Sequence, residues 1–164
     1  ISIGGIIGTT ESNIHIENCY NIGMLANEIG STYNGAGGIL GATNSNKDIN
    51  ITNCYNIGKT SAKYSYIAPF SGGIQGGFWY GQYRSNINNC YYESSKSDRS
   101  VGGAKEEYAT KLTTEQMQGK EKINNQDGTS NTLVELLIDN NTNGIDTTEW
   151  LRWKQGEDGY PTFE

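Results

Sequence analysis

The side chains that could carry chemistry are few, and they are scattered. The single histidine, His15, stands two residues before Glu17, and Lys47-Asp48 is the next charged pair. General acid–base catalysis needs two titratable groups held within reach of one substrate. None of these residues recurs along the chain, so no catalytic pair is assigned and His15 is expected to face solvent. Asp139-x-Asn141-x-Asn143-Gly144 has the spacing that opens a calcium loop. Such a loop closes on a bidentate Glu at its twelfth position. Here that position is Trp150, with Glu149 one residue early, so an Asn/Gly-rich turn is expected and no cofactor is assigned. No copy gives Cys19, Cys54 or Cys90 a second Cys at the spacing a zinc site requires, so no metal is assigned to them.

The densest chemical cluster is aromatic. Phe78-Trp79-Tyr80-Gly81-Gln82-Tyr83 follows Tyr64, Tyr66 and Phe70. Rings with polar tips stack on sugars or anchor a protein partner, which makes Phe78, Trp79, Tyr80 and Tyr83 the candidate ligand-binding residues. Large exposed apolar patches are uncommon on folded domains. The competing expectation is therefore an enlarged loop folded partly over its neighbours.

The elements that must position these groups form a repeat. Gly37-Gly38-Ile39-Leu40-Gly41, followed by Ile49-Asn50-Ile51-Thr52-Asn53-Cys54-Tyr55-Asn56-Ile57-Gly58, has a copy upstream beginning at Gly4 and another downstream beginning at Gly72. The cysteines recur at spacings of 35 and 36, and the leading glycines at 33 and 35. A fixed period in this range means stacked units, none of which buries its apolar face alone. In each copy Ile6, Ile39 and Ile74 are invariant, whereas the next slot holds Ile7, Leu40 and Gln75. Alternate strand residues face opposite ways, so the invariant isoleucines are expected inward and the Gln-tolerant slot outward. Asn18, Asn53 and Asn89 fall in register and suit a left-handed corner stacked from copy to copy. Cys19, Cys54 and Cys90 read as a column of small buried hydrophobes with free thiols, beside a tyrosine column at 20, 55 and 91. In the third copy Tyr92, Glu93 and Ser94 replace Asn, Ile and Gly, which reads as the end of the repeat.

Composition agrees with a thin core. Only 34% of the 164 residues are hydrophobic and 22 are Gly. The net charge is −6 and no basic stripe is interleaved with aromatics, which disfavours nucleic-acid binding. No apolar run reaches transmembrane length, so no membrane insertion is expected. The chain opens mid-pattern at Ile1 and reads as a piece of something longer, so the lack of a signal peptide carries no weight about secretion.

GGIIG and GGILG followed by NCYNIG resemble the GLUG repeat of bacterial surface proteins and of noncatalytic parts of some immunoglobulin A peptidases. The resemblance covers residues 4 to 92, and the closing Trp153…Gly159-Tyr160-Pro161 is similar to the end that often follows such repeats. It implies a mainly β fold: a right-handed parallel β-solenoid, here of about three coils, on an extracellular surface, with no catalytic residues. Residues 1–100 are then the solenoid and 101–164 a small helix-containing cap. Within these, 93–111 reads as a polar loop. Thr113 with Gln116, and Thr132 with Glu135, read as capping boxes, the second helix burying Leu133, Leu136 and Leu137. The function expected is a noncatalytic spacer or adhesion segment whose partners are upstream repeats and a host glycan or surface protein. A carbohydrate-binding module using residues 78–83 is the alternative. A polysaccharide lyase or hydrolase would need a charged cluster in one groove, which the repeats do not supply.

Overall fold

The computed structural model describes residues 2–28, 35–43, 47–62, 71–77, 85–140 and 152–164. They fall into two compact units, Ile1–Lys111 and Leu112–Glu164.

The first unit is mainly β, and its strands pair in parallel from one sequence copy to the next. Ile14–Glu17 lies beside Ile49–Thr52, with Ile14 opposite Ile49 and Ile16 opposite Ile51, and Ser85–Asn88 lies on the other side. Tyr20–Asn21, Tyr55–Asn56 and Tyr91–Glu93 pair in the same order, as do Ile3–Gly4, Ala36–Gly37 and Ser71–Gly72. Sequence period and strand register therefore coincide, as a β-helical type of fold requires. Strands this short need a corner every few residues. One is made by Asn18, Asn53 and Asn89, whose φ values are 51°, 54° and 49°. Asparagine tolerates this left-handed conformation better than most residues, and the Asn53 amide donates to Asn18 Oδ1.

The core runs through the stack and contains Ile16, Ile39, Leu40, Ile49, Ile51, Cys54, Ile74, Cys90 and Tyr92. One expectation is corrected here. Ile39, Leu40, Ile74 and Gln75 are all fully buried, so the slot shared by Leu40 and Gln75 does not face outward. Ile6 is 44% exposed, although it belongs to the supposed inward set. Strand alternation does not apply because Ile39 lies in the bend before the strand Leu40–Thr43. Two neighbours that straddle a corner can both point in. Gln75 is accommodated by donating Nε2 to the Gly77 carbonyl at 3.1 Å, while its Oε1 has no partner.

A second correction concerns 93–111, which is not a free loop. Gly73 N donates to Arg99 O, Ile74 and Gln75 N to Ser100 O, and Gly102 N to Gln75 O. Thr110 N then donates to Cys90 O, and the strand Thr110–Leu112 extends the tyrosine sheet. Backbone pairing thus continues past the point where the sequence repeat decays, and the units divide beyond the expected boundary at residue 100. Glu107 secures the segment by accepting from Tyr92 Oη and from Ser100 N, each at 2.9 Å.

The described residues of the second unit form two short helices and two hairpins. α1 (Thr114–Met117) and α2 (Leu133–Asp139) both carry complete capping boxes, from Thr113 with Gln116 and from Thr132 with Glu135. The Thr132 backbone N–H, donating to the Glu135 carboxylate, also holds that carboxyl below its usual pKa. Leu133 and Leu137 are fully buried, whereas Leu136 is half-buried, a partial correction. Gly119 ends the first helix at φ 69°. Trp153–Gln155 pairs antiparallel with Pro161–Phe163, and the Trp153 and Phe163 rings sit 4.1 Å apart.

Candidate functional site

The stacked copies place their distinctive side chains in columns, and each column has its own chemistry. The cysteines form one of them. All three are free; Cys54 and Cys90 are buried and Cys19 is half-buried. Sγ of Cys54 donates to Thr52 O at 3.1 Å, Sγ of Cys90 to Asn88 O at 3.2 Å, and Cys19 N donates to Cys54 Sγ at 3.4 Å. Burial pushes the Cys54 thiol well above its ordinary value, and the hydrogen bond with Cys54 together with burial raises Cys19. Thiols held neutral in this way are poor nucleophiles and poor metal ligands. The column acts as packing.

Beside it the Tyr20 and Tyr55 rings stack with centroids 5.2 Å apart and planes within 5°. Tyr91 is buried, which pushes its phenol up to about 12. A further column went unread in the sequence. Asn21 and Asn56 each fold back on the glycine two residues on, Nδ2 donating to its carbonyl and Oδ1 accepting from its N–H. Asn21 Nδ2 also donates to Asn56 Oδ1 at 2.7 Å, linking one copy to the next. The signal was present as Asn-Ile-Gly in both copies, the pattern of an Asx turn. Gly5, Gly38 and Gly73 make room for this column: a β-carbon on Gly38 would strike the Asn56 side chain, and one on Gly73 the Tyr92 ring.

The outward face of the sheet built by Ile14–Glu17, Ile49–Thr52 and Ser85–Asn88 carries His15, Asn50 and Asn86 in one row, and Glu17, Thr52 and Asn88 in the next. Asn86 Nδ2 donates to Asn50 Oδ1 at 3.1 Å. His15 is exposed, as expected, with Nε2 3.8 Å from Glu17 Oε2. This face offers amides and hydroxyls to a hydrogen-bonding partner, and His15 with Glu17 is its one titratable pair. Among the described residues no group of three His, Cys, Asp or Glu side chains is arranged to hold a metal. Asp139 ends α2, while Asn141 and Asn143 lie outside the described residues, so the calcium reading is not tested. Phe78, Trp79, Tyr80 and Tyr83 also lie outside them. No helix among the described residues is long and apolar enough to cross a membrane.

Fold and columns together define a class: a mainly β chain whose sequence repeats pair in parallel, copy on copy. No family model and no curated protein matches the sequence. Among solved structures it is similar to a Bacteroides ovatus chain, solved at 1.30 Å and described provisionally as an immunoglobulin A1 protease. The TM-score is 0.53 with 20% identity, over 98% of this chain and 52% of that one. This chain therefore spans about half the length of its neighbour. At such identity the likeness bears on fold alone.

Proposed function

We propose that the chain is a noncatalytic module of a larger bacterial surface protein, acting as a spacer or adhesion segment. In this reading the first unit is a right-handed parallel β-solenoid of the GLUG type, stacked in its parent on upstream repeats. The observation that carries the proposal is the coincidence of sequence period and parallel register over three copies, with columns made of Cys, Tyr and Asn rather than of paired acids and bases. A column of that kind stiffens a rod and supplies no proton transfer. The name carried by the Bacteroides ovatus neighbour supplies the sharpest test. Purified chain incubated with immunoglobulin A1 should leave the substrate intact; cleavage that tracks with the pure protein would overturn the noncatalytic reading. A glycan array run beside it should show no binding that depends on Trp79. Glycan binding lost in Trp79→Ala would favour a carbohydrate-binding module instead.

A further inference from the structure

What a β-carbon would strike at each glycine separates the first copy from the others. At Gly41 it would strike the Gly8 carbonyl oxygen, at Gly76 the Gly41 oxygen, and at Gly58 the Gly23 oxygen. In all three cases the obstacle is backbone of the preceding copy, so these positions are glycine because parallel coils stack closely there. Gly8 and Gly23 hold the same two positions in the first copy, and no described coil precedes it. Among the described residues a β-carbon at Gly8 would meet nothing nearer than Ser2 O at 3.2 Å, and one at Gly23 nothing nearer than Asn21 Oδ1 at 3.5 Å. Neither glycine has the positive φ found at Gly103, Gly119, Gly128 and Gly159. Their described surroundings and their own backbone leave both glycines unexplained. Gly5 is different, because a β-carbon there would strike Gly38 O of the following copy.

Two independent features point the same way. Asn56 Oδ1 receives two donors, Gly58 N at 3.0 Å and Asn21 Nδ2 of the copy before it, whereas among the described residues Asn21 Oδ1 receives only Gly23 N. Ile6 is 44% exposed while its counterparts Ile39 and Ile74 are fully buried, and the exposed Ile22 and Met24 belong to the same copy.

We infer that the first copy presents a docking face for one more coil of the same repeat, entering in parallel from 33 to 36 residues earlier in the parent chain. Its glycine carbonyls lie over Gly8 and Gly23, its asparagine amide donates to Asn21 Oδ1, and its corner covers Ile6. This rests on the stacked-coil reading above. The occupant is a repeat copy rather than an arbitrary strand because all three accounted-for glycines face a carbonyl of the repeat's own glycines.

The test uses the full chain and a tandem form in which residues 1–34 are duplicated ahead of Ile1. The tandem form should melt several degrees higher, because each added interface contributes a nearest-neighbour term. Gly8→Ala with Gly23→Ala, placed in the original copy, should abolish that gain while leaving the unextended chain's Tm nearly unchanged. A gain that survives the double substitution overturns the docking inference and leaves the stacked-coil reading standing. No gain from the extension overturns that reading and the inference with it. A large Tm loss in the unextended variant would mean that the glycines serve their own coil, which also overturns the inference. Sedimentation of the unextended chain covers the remaining occupant: a dimer dissolved by the double substitution would assign the face to a second copy instead.

Discussion

Gln75 is the residue most at odds with its surroundings. It is fully buried in the slot that Ile7 and Leu40 fill in other copies, and its Oε1 has no partner. A buried carbonyl without a donor costs about 1–3 kcal/mol, and Gly77 O keeps its bond from Thr43 N if the glutamine amide is removed. Gln75→Leu is therefore expected to stabilise the protein by about 1 kcal/mol, read as a higher urea midpoint; a lower midpoint would show that the amide contributes more than its one bond. At the neighbouring corner, Ile39→Ala and Leu40→Ala should now cost alike, about 2–5 kcal/mol each, since both side chains are fully buried. The thiols and phenols set a pH dependence. Burial, with the Cys19–Cys54 contact, keeps Cys54, Cys19 and Tyr91 protonated to higher pH than the ordinary values of 9.0 and 10.0 that govern the unfolded chain. Above about pH 9 the unfolded chain releases protons that the folded chain retains, so stability is full below that pH and falls as pH rises toward 12. Denaturant midpoints at pH 7, 9 and 10.5 should decline in that order; a flat profile would place these groups in water. Thiol labelling of native protein should reach half-buried Cys19 first and Cys54 and Cys90 only on unfolding.

At the scale of single elements, the two helices depend on their caps. α1 has four residues and α2 seven, lengths at which an isolated helix in water is marginal. Thr132 closes a reciprocal box with Glu135 at the start of α2. Thr132→Ala should cost about 1 kcal/mol, measured as a shift in thermal midpoint, whereas the exposed Ile138→Ala should shift it far less. The strands obey a different rule. Among the described residues none of those pairing between copies exceeds four residues, so their order comes from neighbouring copies and from the asparagine corners rather than from intrinsic propensity.

For the molecule as a whole, the segment after Tyr92 decides where the first unit ends. Arg99, Ser100 and Thr110 all bond to backbone of the third copy, and Glu107 ties Tyr92 to Ser100. A chain ending at residue 100 loses Val101, Glu107 and Thr110 and leaves the third copy's edge uncovered, and an open edge invites association. Such a chain should melt several degrees below one ending at residue 111 and scatter light on heating. Equal melts would show that the backbone pairing beyond residue 100 adds nothing to the stack.

Period alone was enough to locate the repeat, the left-handed asparagines and the stacked cysteines, because each follows from one residue type recurring at one position; parallel pairing was implied only by the resemblance. The two capping boxes were legible for a similar reason, being local patterns complete within four residues. The facing of Ile39 and Leu40 was not legible, since it turns on a bend between two strands and not on alternation within one. Nor was the pairing of 99–110, where side chains no longer repeat but backbone donors and acceptors, which carry no sequence signature, continue the ladder. The meaning of Gly8 and Gly23 was likewise hidden. A glycine is the same letter whether a carbonyl crowds it or space surrounds it, and only the packed copies show which of these two holds.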